Sequence, residues 1–483
     1  MPALLAASPI LVACGLLLVL RQSALRAGFA GLAVALLAAW LGSDGAAPIA
    51  RGLRDGLLHT LNVSYVLLGG VALSAALRAS GALAAVAAAL ARALPDAGRR
   101  NLVAVLALSV FFESVTGFGI GIIVTAPLFL ALNLPPARAG LLALLGQCAV
   151  PWGALAIGTT LGAQLFGVAE ARMGVLAAAL NLPVILIAGL LTLALTGGGA
   201  ALRRSWGFAT LLAATLAAGL ALASHLVGIE VAGAVAALAT TAVGLAGSPG
   251  AWRVLATPAL ARAASPLLLL LATLLATRLC APLRQALAGL LVLRVPEIGF
   301  TLAPFYHPGF WMLIAAALGL AQARASGVTL RPLAMPALRQ WAVAASAVLG
   351  FLAMSQVMFN AGMTARLADA AVASAGPSLY AAIVPWIGGI GGFLTASNTG
   401  SNALFAQLQT EAARRLGLPL DWIAAAHNAA GANATMASPG RVVLAAAVVG
   451  LAGRESALLR PALAVALVGL AIMSAQLWLS LKI

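Results

Sequence analysis

Apolar runs of helical length recur along the whole chain, each closed by one or two charges or by glycine and proline. They cover residues 3–20, 27–43, 56–77, 101–112, 174–195, 207–224, 231–247, 265–277, 310–323, 341–359 and 461–481. A helix crossing roughly 30 Å of hydrocarbon needs about 20 apolar residues. Residues 370–410 form a stretch of 41 without a formal charge (410 − 370 + 1 = 41), too long for one span and interrupted at Gly388-Gly389 and Gly391-Gly392. The pattern predicts an all-α polytopic membrane protein with about 12–14 transmembrane segments. The longest polar stretches, such as 324–340, read as loops, so no soluble domain is expected.

Composition agrees. The chain is 63% hydrophobic and 8% charged, whereas soluble domains carry about 25% charged residues. Its net charge of +16 comes from 26 arginines and Lys482, scattered singly and in pairs between apolar runs. That is the distribution of basic loops at a bilayer face, not a nucleic-acid-binding stripe. Cys14, Cys148 and Cys280 lie far apart in apolar context, which signals neither a disulfide framework nor a metal site. The first run lacks a basic leader and a cleavage site and reads as a membrane helix rather than a removed signal. Arg21 and Arg26 would put the first loop inside and the N-terminus outside.

An internal repeat organises these runs. Pro95 opens a segment reaching Glu113–Gly119, and Pro377 opens one reaching Ser397–Asn402. The offsets are 377 − 95 = 282 and, for Gly81 and Gly362, 362 − 81 = 281. Residues 146–149 align roughly with 427–430. The loop at the first proline carries Arg92, Arg99 and Arg100, while its counterpart, 374–382, carries no charge. Arginine-rich loops stay in the cytoplasm, so the two loops are expected on opposite faces and the repeats inverted. Secondary transporters use that arrangement and bind substrate near the midplane, where helices are broken. The expected organisation is N-terminal helices at 1–60, a first repeat within 61–200, connecting helices at 201–340, a second repeat within 341–460, and a final helix at 461–483.

Both repeats hold a polar, glycine-rich patch inside an apolar stretch. Gly117, Gly119 and Gly121 alternate with other residues, and the run 397–402 holds five hydrogen-bonding side chains in six positions. Irregular backbone survives in a membrane only when buried in protein or lining a cavity. Each patch therefore reads as an unwound tip whose amides and hydroxyls face a ligand, with a half-helix N-terminus offered to a carboxylate. Glu113 is the only acid between Arg100 and Arg138. Its charge at mid-bilayer costs about 2.5–3.5 kcal/mol, which points to a paired, protonating or ion-handling group. The candidate substrate- and ion-binding residues are Glu113, Ser114, Thr116, Gly117, Gly119 and Gln147 in the first repeat. In the second they are Ser397, Asn398, Thr399, Ser401, Asn402, His427, Asn428 and Asn433. Arg441 is either an anion's counter-charge or a boundary residue that snorkels.

Phe111–Gly119 followed by Thr125-Ala126-Pro127-Leu128 resembles the first signature of the bacterial L-lactate permease family. Gly392–Phe405 resembles its second, and Met436-Ala437-Ser438-Pro439, Gly453-Arg454-Glu455 and Ser265-Pro266 are similar to its shorter strings. The likeness spans most of the chain. It implies proton-coupled uptake of lactate or glycolate and an inverted-repeat architecture. Two departures bear on the substrate: Gly121 stands where the family pattern carries a proline, and Thr435 where it carries a lysine able to neutralise a carboxylate.

The expected function is thus secondary transport of a small monocarboxylate in a bacterial inner membrane. No cofactor is expected, and H+ is preferred to Na+ as coupling ion. The alternative is a sodium-coupled carrier of another small organic anion, because hydroxyl and amide oxygens suit Na+ equally well. The expected partners are the substrate anion, the lipid bilayer and a second copy in a homodimer, with no nucleic acid. An intramembrane enzyme would need a nucleophile–base pair or a metal cluster, and neither HExxH nor an Asp pair occurs. No Walker-type string occurs either.

Overall fold

A computed structural model describes residues 3–42, 46–246, 248, 250–298 and 300–481. Ser43, Gly247 and Lys482, at or near the ends of three apolar runs, lie outside the described residues. The described chain is almost wholly helical. Among the described residues the only sheet is a two-stranded antiparallel ribbon, Leu293–Val295 with Phe300–Leu302. Seven described helices are long and apolar enough to cross a membrane. Many remaining crossings are built from shorter helices broken near their middles.

One group of helices forms a scaffold. Ala24–Gly42, Ala47–Ala79, Pro308–Ala325 and Arg331–Asn360 pack along their lengths. Glycines permit the approach: a Cβ on Gly52 or Gly56 would lie 2.5 Å from the Cα of Val357 or Ala353. With lipid as apolar as the side chains, such close van der Waals contact is what holds membrane helices together.

The longest helix, Glu170–Leu226, is two crossings rather than one. Gly198 interrupts it at φ 63°. Beyond this glycine the chain turns back, so that Gly174 abuts Ser224 and Gly189 abuts Ala209. The two halves match the separate runs at 174–195 and 207–224.

The remaining helices follow one order twice. A scaffold helix ends at a left-handed glycine, Gly81 or Gly362, each at about φ 70° (74° and 71°). A short helix follows, Ala82–Ala93 or Met363–Ser374, and then a hairpin with a broken tip. In the first copy the hairpin comprises Ala97–Val103, Ala104–Ser109, Val110–Thr116 and, after the tip, Ile120–Ala131. In the second it comprises Pro377–Thr395 and Asn398–Arg415. A broken crossing closes each copy: Pro136–Leu145 with Ile157–Phe166, and Leu420–Ala434 with Pro439–Val448. By element order the break at 146–156 corresponds to 435–438, not to 427–430 as the residue offset suggested. Leu420–Ala434 has 15 residues where Pro136–Leu145 has 10, which places 427–430 inside a helix.

The two copies interlock. Ile157–Phe166 packs on Asn398–Arg415, and Pro439–Val448 packs on Ile120–Ala131 and Pro136–Leu145. At one end of the molecule Arg172 and Asp421 form an ion pair at 2.9 Å. At the other, Gly140 lies against Leu458 and Val449.

Candidate functional site

The two hairpin tips and the break at 146–156 meet around a cavity of about 290 Å³. Its polar lining comes from Glu113, Arg441, Ser23, Thr395, Ser397, Asn398 and Thr399, and the rest from small and apolar residues including Gly117, Gly158 and Phe351. This is near the small end of the roughly 300–1,000 Å³ typical of ligand pockets.

The first tip arises because Val110–Thr116 stops at Gly117, φ 72°, ψ −156°, a conformation closed to residues with a Cβ. Phe118 and Gly119 continue with φ of 57° and 75° before Ile120 restarts the helix. Backbone freed by the break is satisfied by the facing break. Ala154 N donates to Glu113 O at 2.9 Å and Leu155 N to Ser114 O at 2.7 Å. Ala154, Leu155 and Ala156 all adopt left-handed backbone to do so, with φ of 48°, 52° and 57°. Three such residues in a row hold strain of order 1–3 kcal/mol each.

Glu113 is buried and forms an ion pair with Arg441 at 3.0 Å. Its two carboxylate oxygens also lie 3.4 Å from Gly119 N and 3.5 Å from Gly121 N. The carboxylate thus occupies the half-helix N-terminus that the sequence pattern offered to a substrate. The tip is closed by the protein's own charge, and the nearby cationic group for an anion is the Arg441 guanidinium. Arg441 is held by a second partner, Gln147 Oε1, and its amide faces Ser438 Oγ at the start of Pro439–Val448. It is 9% exposed, so it does not snorkel at a boundary but is held inside by Glu113.

The second tip is built from amides. Ala396 takes φ 56°, Ser397 is extended, and Asn398 restarts the helix with Ser397 Oγ accepting from Gly400 N at 3.2 Å. Asn428 Oδ1 accepts from Asn398 Nδ2 at 2.9 Å and Asn402 Nδ2 at 3.0 Å, while Asn428 Nδ2 donates to Thr159 Oγ1 at 3.0 Å. Asn402 Nδ2 also reaches Gly158 O at 3.0 Å, tying this tip to the first repeat's broken crossing.

Of the candidate residues, Glu113, Gly117, Ser397, Asn398 and Thr399 line the cavity. Gln147, Asn402 and Asn428 stand one layer behind and hold those that do. Ser114 and Thr116 are buried away from it, and the Thr116 hydroxyl donates to Phe112 O at 2.5 Å. Gly119 bends the tip and faces Leu444. Ser401 donates to Gly388 O at 2.8 Å across its own hairpin. His427 is fully buried between Gln409 (3.3 Å) and the Phe166 ring, and Asn433 bonds Asn181 at 2.5 Å. Neither reaches the cavity. Thr395, a lining residue absent from the candidates, follows two glycine pairs in an apolar run, which hid it.

A multi-pass helical membrane protein with two broken-helix tips around a small, singly charged-paired cavity is a transporter, not an enzyme. The L-lactate permease family profile matches residues 2–248 and 268–483; the chain belongs to that family. It is similar to an L-lactate permease of Streptococcus iniae, 28% identical over 458 residues, covering 88% of this chain and 94% of the relative. An L-lactate permease of Salmonella typhimurium is 28% identical over 424 residues, 76% of this chain and 75% of the relative. The glycolate permease of Escherichia coli is 36% identical over 109 residues, 23% of this chain and 19% of that protein.

Proposed function

We propose that the protein carries a small monocarboxylate of the lactate or glycolate type together with a proton, by alternating access, across a bacterial inner membrane. The observation that carries this reading is the Glu113–Arg441 pair at the cavity wall. In the empty site the two charges neutralise each other. An incoming carboxylate competes for Arg441, and two carboxylates facing one guanidinium leave a buried negative charge uncompensated, which is strongly unfavourable. A proton taken up on Glu113 removes it. The loaded site is then as neutral as the empty one, and both can pass through the low-dielectric interior. Release of the substrate carboxylate returns Arg441 to Glu113, which gives up its proton on that side.

Ser397, Asn398 and Thr399 face the same cavity and suit the substrate's hydroxyl or second carboxylate oxygen. Arg441 supplies a cation in the region where Thr435 stands in place of the family's lysine. The inverted reading of the two repeats is supported by the Arg172–Asp421 and Gly140–Leu458 contacts. They join the exit of each broken crossing to the entry of the other, as expected if the crossings run in opposite directions. The end bearing Arg99, Arg100 and Arg138 is then cytoplasmic.

The test is uptake of labelled L-lactate into proteoliposomes under an imposed pH gradient, wild type beside Glu113→Gln. Accumulation that collapses with a protonophore and with the substitution is expected. Uptake that ignores the pH gradient and follows a sodium gradient would sink the proton assignment. No uptake of any short carboxylate would sink the substrate class.

A further inference from the structure

A second cavity of about 390 Å³ lies beyond the 154–157 turn, and Ile157 lines both. Its wall holds Arg278, whose side chain is 4% exposed. One terminal nitrogen of Arg278 pairs with Glu230 at 3.0 Å and the other donates to Tyr306 O and Thr277 Oγ1, each at 3.2 Å. The guanidinium carbon stacks 3.9 Å from the centre of the Tyr306 ring. These contacts fix the group firmly yet leave its Nε buried without a partner. Thr160 lines the same cavity, and its hydroxyl is likewise buried and unpartnered. Leaving such donors unmatched is costly, so a buried arginine edge and an orphaned hydroxyl on the wall of one cavity mark a place where a ligand oxygen belongs.

The chemistry selects the ligand. Arg278 and Arg284 balance Glu170 and Glu230 around the cavity, and no metal-binding cluster occurs among the described residues. A metal cation would face a fixed guanidinium. A small carboxylate supplies acceptor oxygens for the Arg278 Nε–H and the Thr160 hydroxyl, in a cavity whose arginines and glutamates balance in number. Glu170, the cavity's start-of-helix acid, lies two residues from Arg172, which pairs with Asp421. The cavity therefore opens toward the end of the molecule opposite the Arg99–Arg138 face.

We infer that this cavity is a second binding site for a small carboxylate, a waiting subsite built on Arg278 and Thr160 and separated from the Glu113–Arg441 site by the 154–157 turn. The inference rests on the proposed monocarboxylate transport and adds where the anion is held before it reaches Arg441. The strained turn and Ile157 form the partition an anion must pass between the two arginines.

The experiment is equilibrium dialysis of the purified full-length protein against labelled L-lactate and labelled glycolate, with sided uptake measured in proteoliposomes. Two anions bound per chain are expected in the wild type. Thr160→Val, which keeps shape and charge, and Arg278→Lys, which keeps charge, should each leave one. Uptake from the Arg278 side should show a KM raised about tenfold, from loss of one charge-assisted hydrogen bond, with the KM from the other side unchanged. One bound anion in the wild type, insensitive to Thr160→Val and lost in Arg441→Gln, overturns the second site while leaving the transport reading intact. Binding of neither probe by the wild type overturns the transport reading and this inference with it.

Discussion

The two tips solve the same physical problem with different chemistry. Each is a helix break inside the membrane, where exposed backbone and unpaired polar groups are costly. The first tip is closed by charge: Glu113 faces the amides of Gly119 and Gly121 and is balanced by Arg441 from the second repeat. The second is closed by neutral groups, with Asn398, Asn402, Asn428 and Thr159 bonded in a chain. The difference assigns the work. A charged pair changes partners when a charged substrate or a proton arrives, whereas a neutral amide network carries no charge to exchange and is held by its cross-bonds. Under the proposed mechanism the first tip is the coupling element and the second the frame.

Breaking the charged tip should have the largest effect. Arg441→Gln leaves Glu113 buried without its cation, and Glu113→Gln does the reverse. Removing one member of a buried pair costs about 3–5 kcal/mol, read as a fall in detergent-melting temperature along with loss of accumulation. The double variant Glu113→Gln/Arg441→Gln should melt above either single one and still not accumulate substrate. If the double variant transports against a gradient, the charged tip is not the coupling element.

Asn428→Ala removes the shared acceptor of Asn398 and Asn402 and the donor to Thr159. A cost of about 1–3 kcal/mol is expected, with KM and kcat altered together and the response to the pH gradient preserved. A lost pH response in this variant would erase the contrast between the tips.

Gly117→Ala asks whether the first tip needs its glycine. A Cβ there would lie 2.7 Å from that of Ala154, at φ 72°. A cost of about 1–3 kcal/mol is expected from the backbone alone, seen as a lower melting temperature. The smallest effect should come from Ser397→Ala, which deletes a helix cap worth about 1 kcal/mol. It should raise the KM for L-lactate a few-fold without changing the dependence on the pH gradient.

Much of this architecture was legible along the chain. Periodic apolar runs, the Gly81/Gly362 offset and the two polar patches marked crossings, repeat and tips, because lipid imposes strong local rules on composition. Glu113 stood out because one acid in a long apolar stretch is rare. The roles of His427 and Asn433 were not legible. A polar residue that lines a cavity and one that bonds a neighbouring helix look alike in sequence, and here the bonds to Gln409 and Asn181 decided it. The function of the tip amides was misread for a related reason: spacing located a free helix N-terminus, but not the carboxylate six to eight residues earlier that fills it.

By itself the sequence determined that the chain is a helical membrane protein and where its two polar tips break the helices, since hydrophobicity and glycine act locally. The breaks at 146–156 and 435–438, and the helix that runs through the polar stretch 331–340, came from the structure. Only the tertiary structure decided that Arg441 faces Glu113, from positions 328 residues apart (441 − 113 = 328), and that Arg278 and Thr160 share a second cavity. The first pairing depends on how two copies of one unit interlock and the second on how the chain between the copies packs against one of them; both are properties of packing rather than of any stretch of chain.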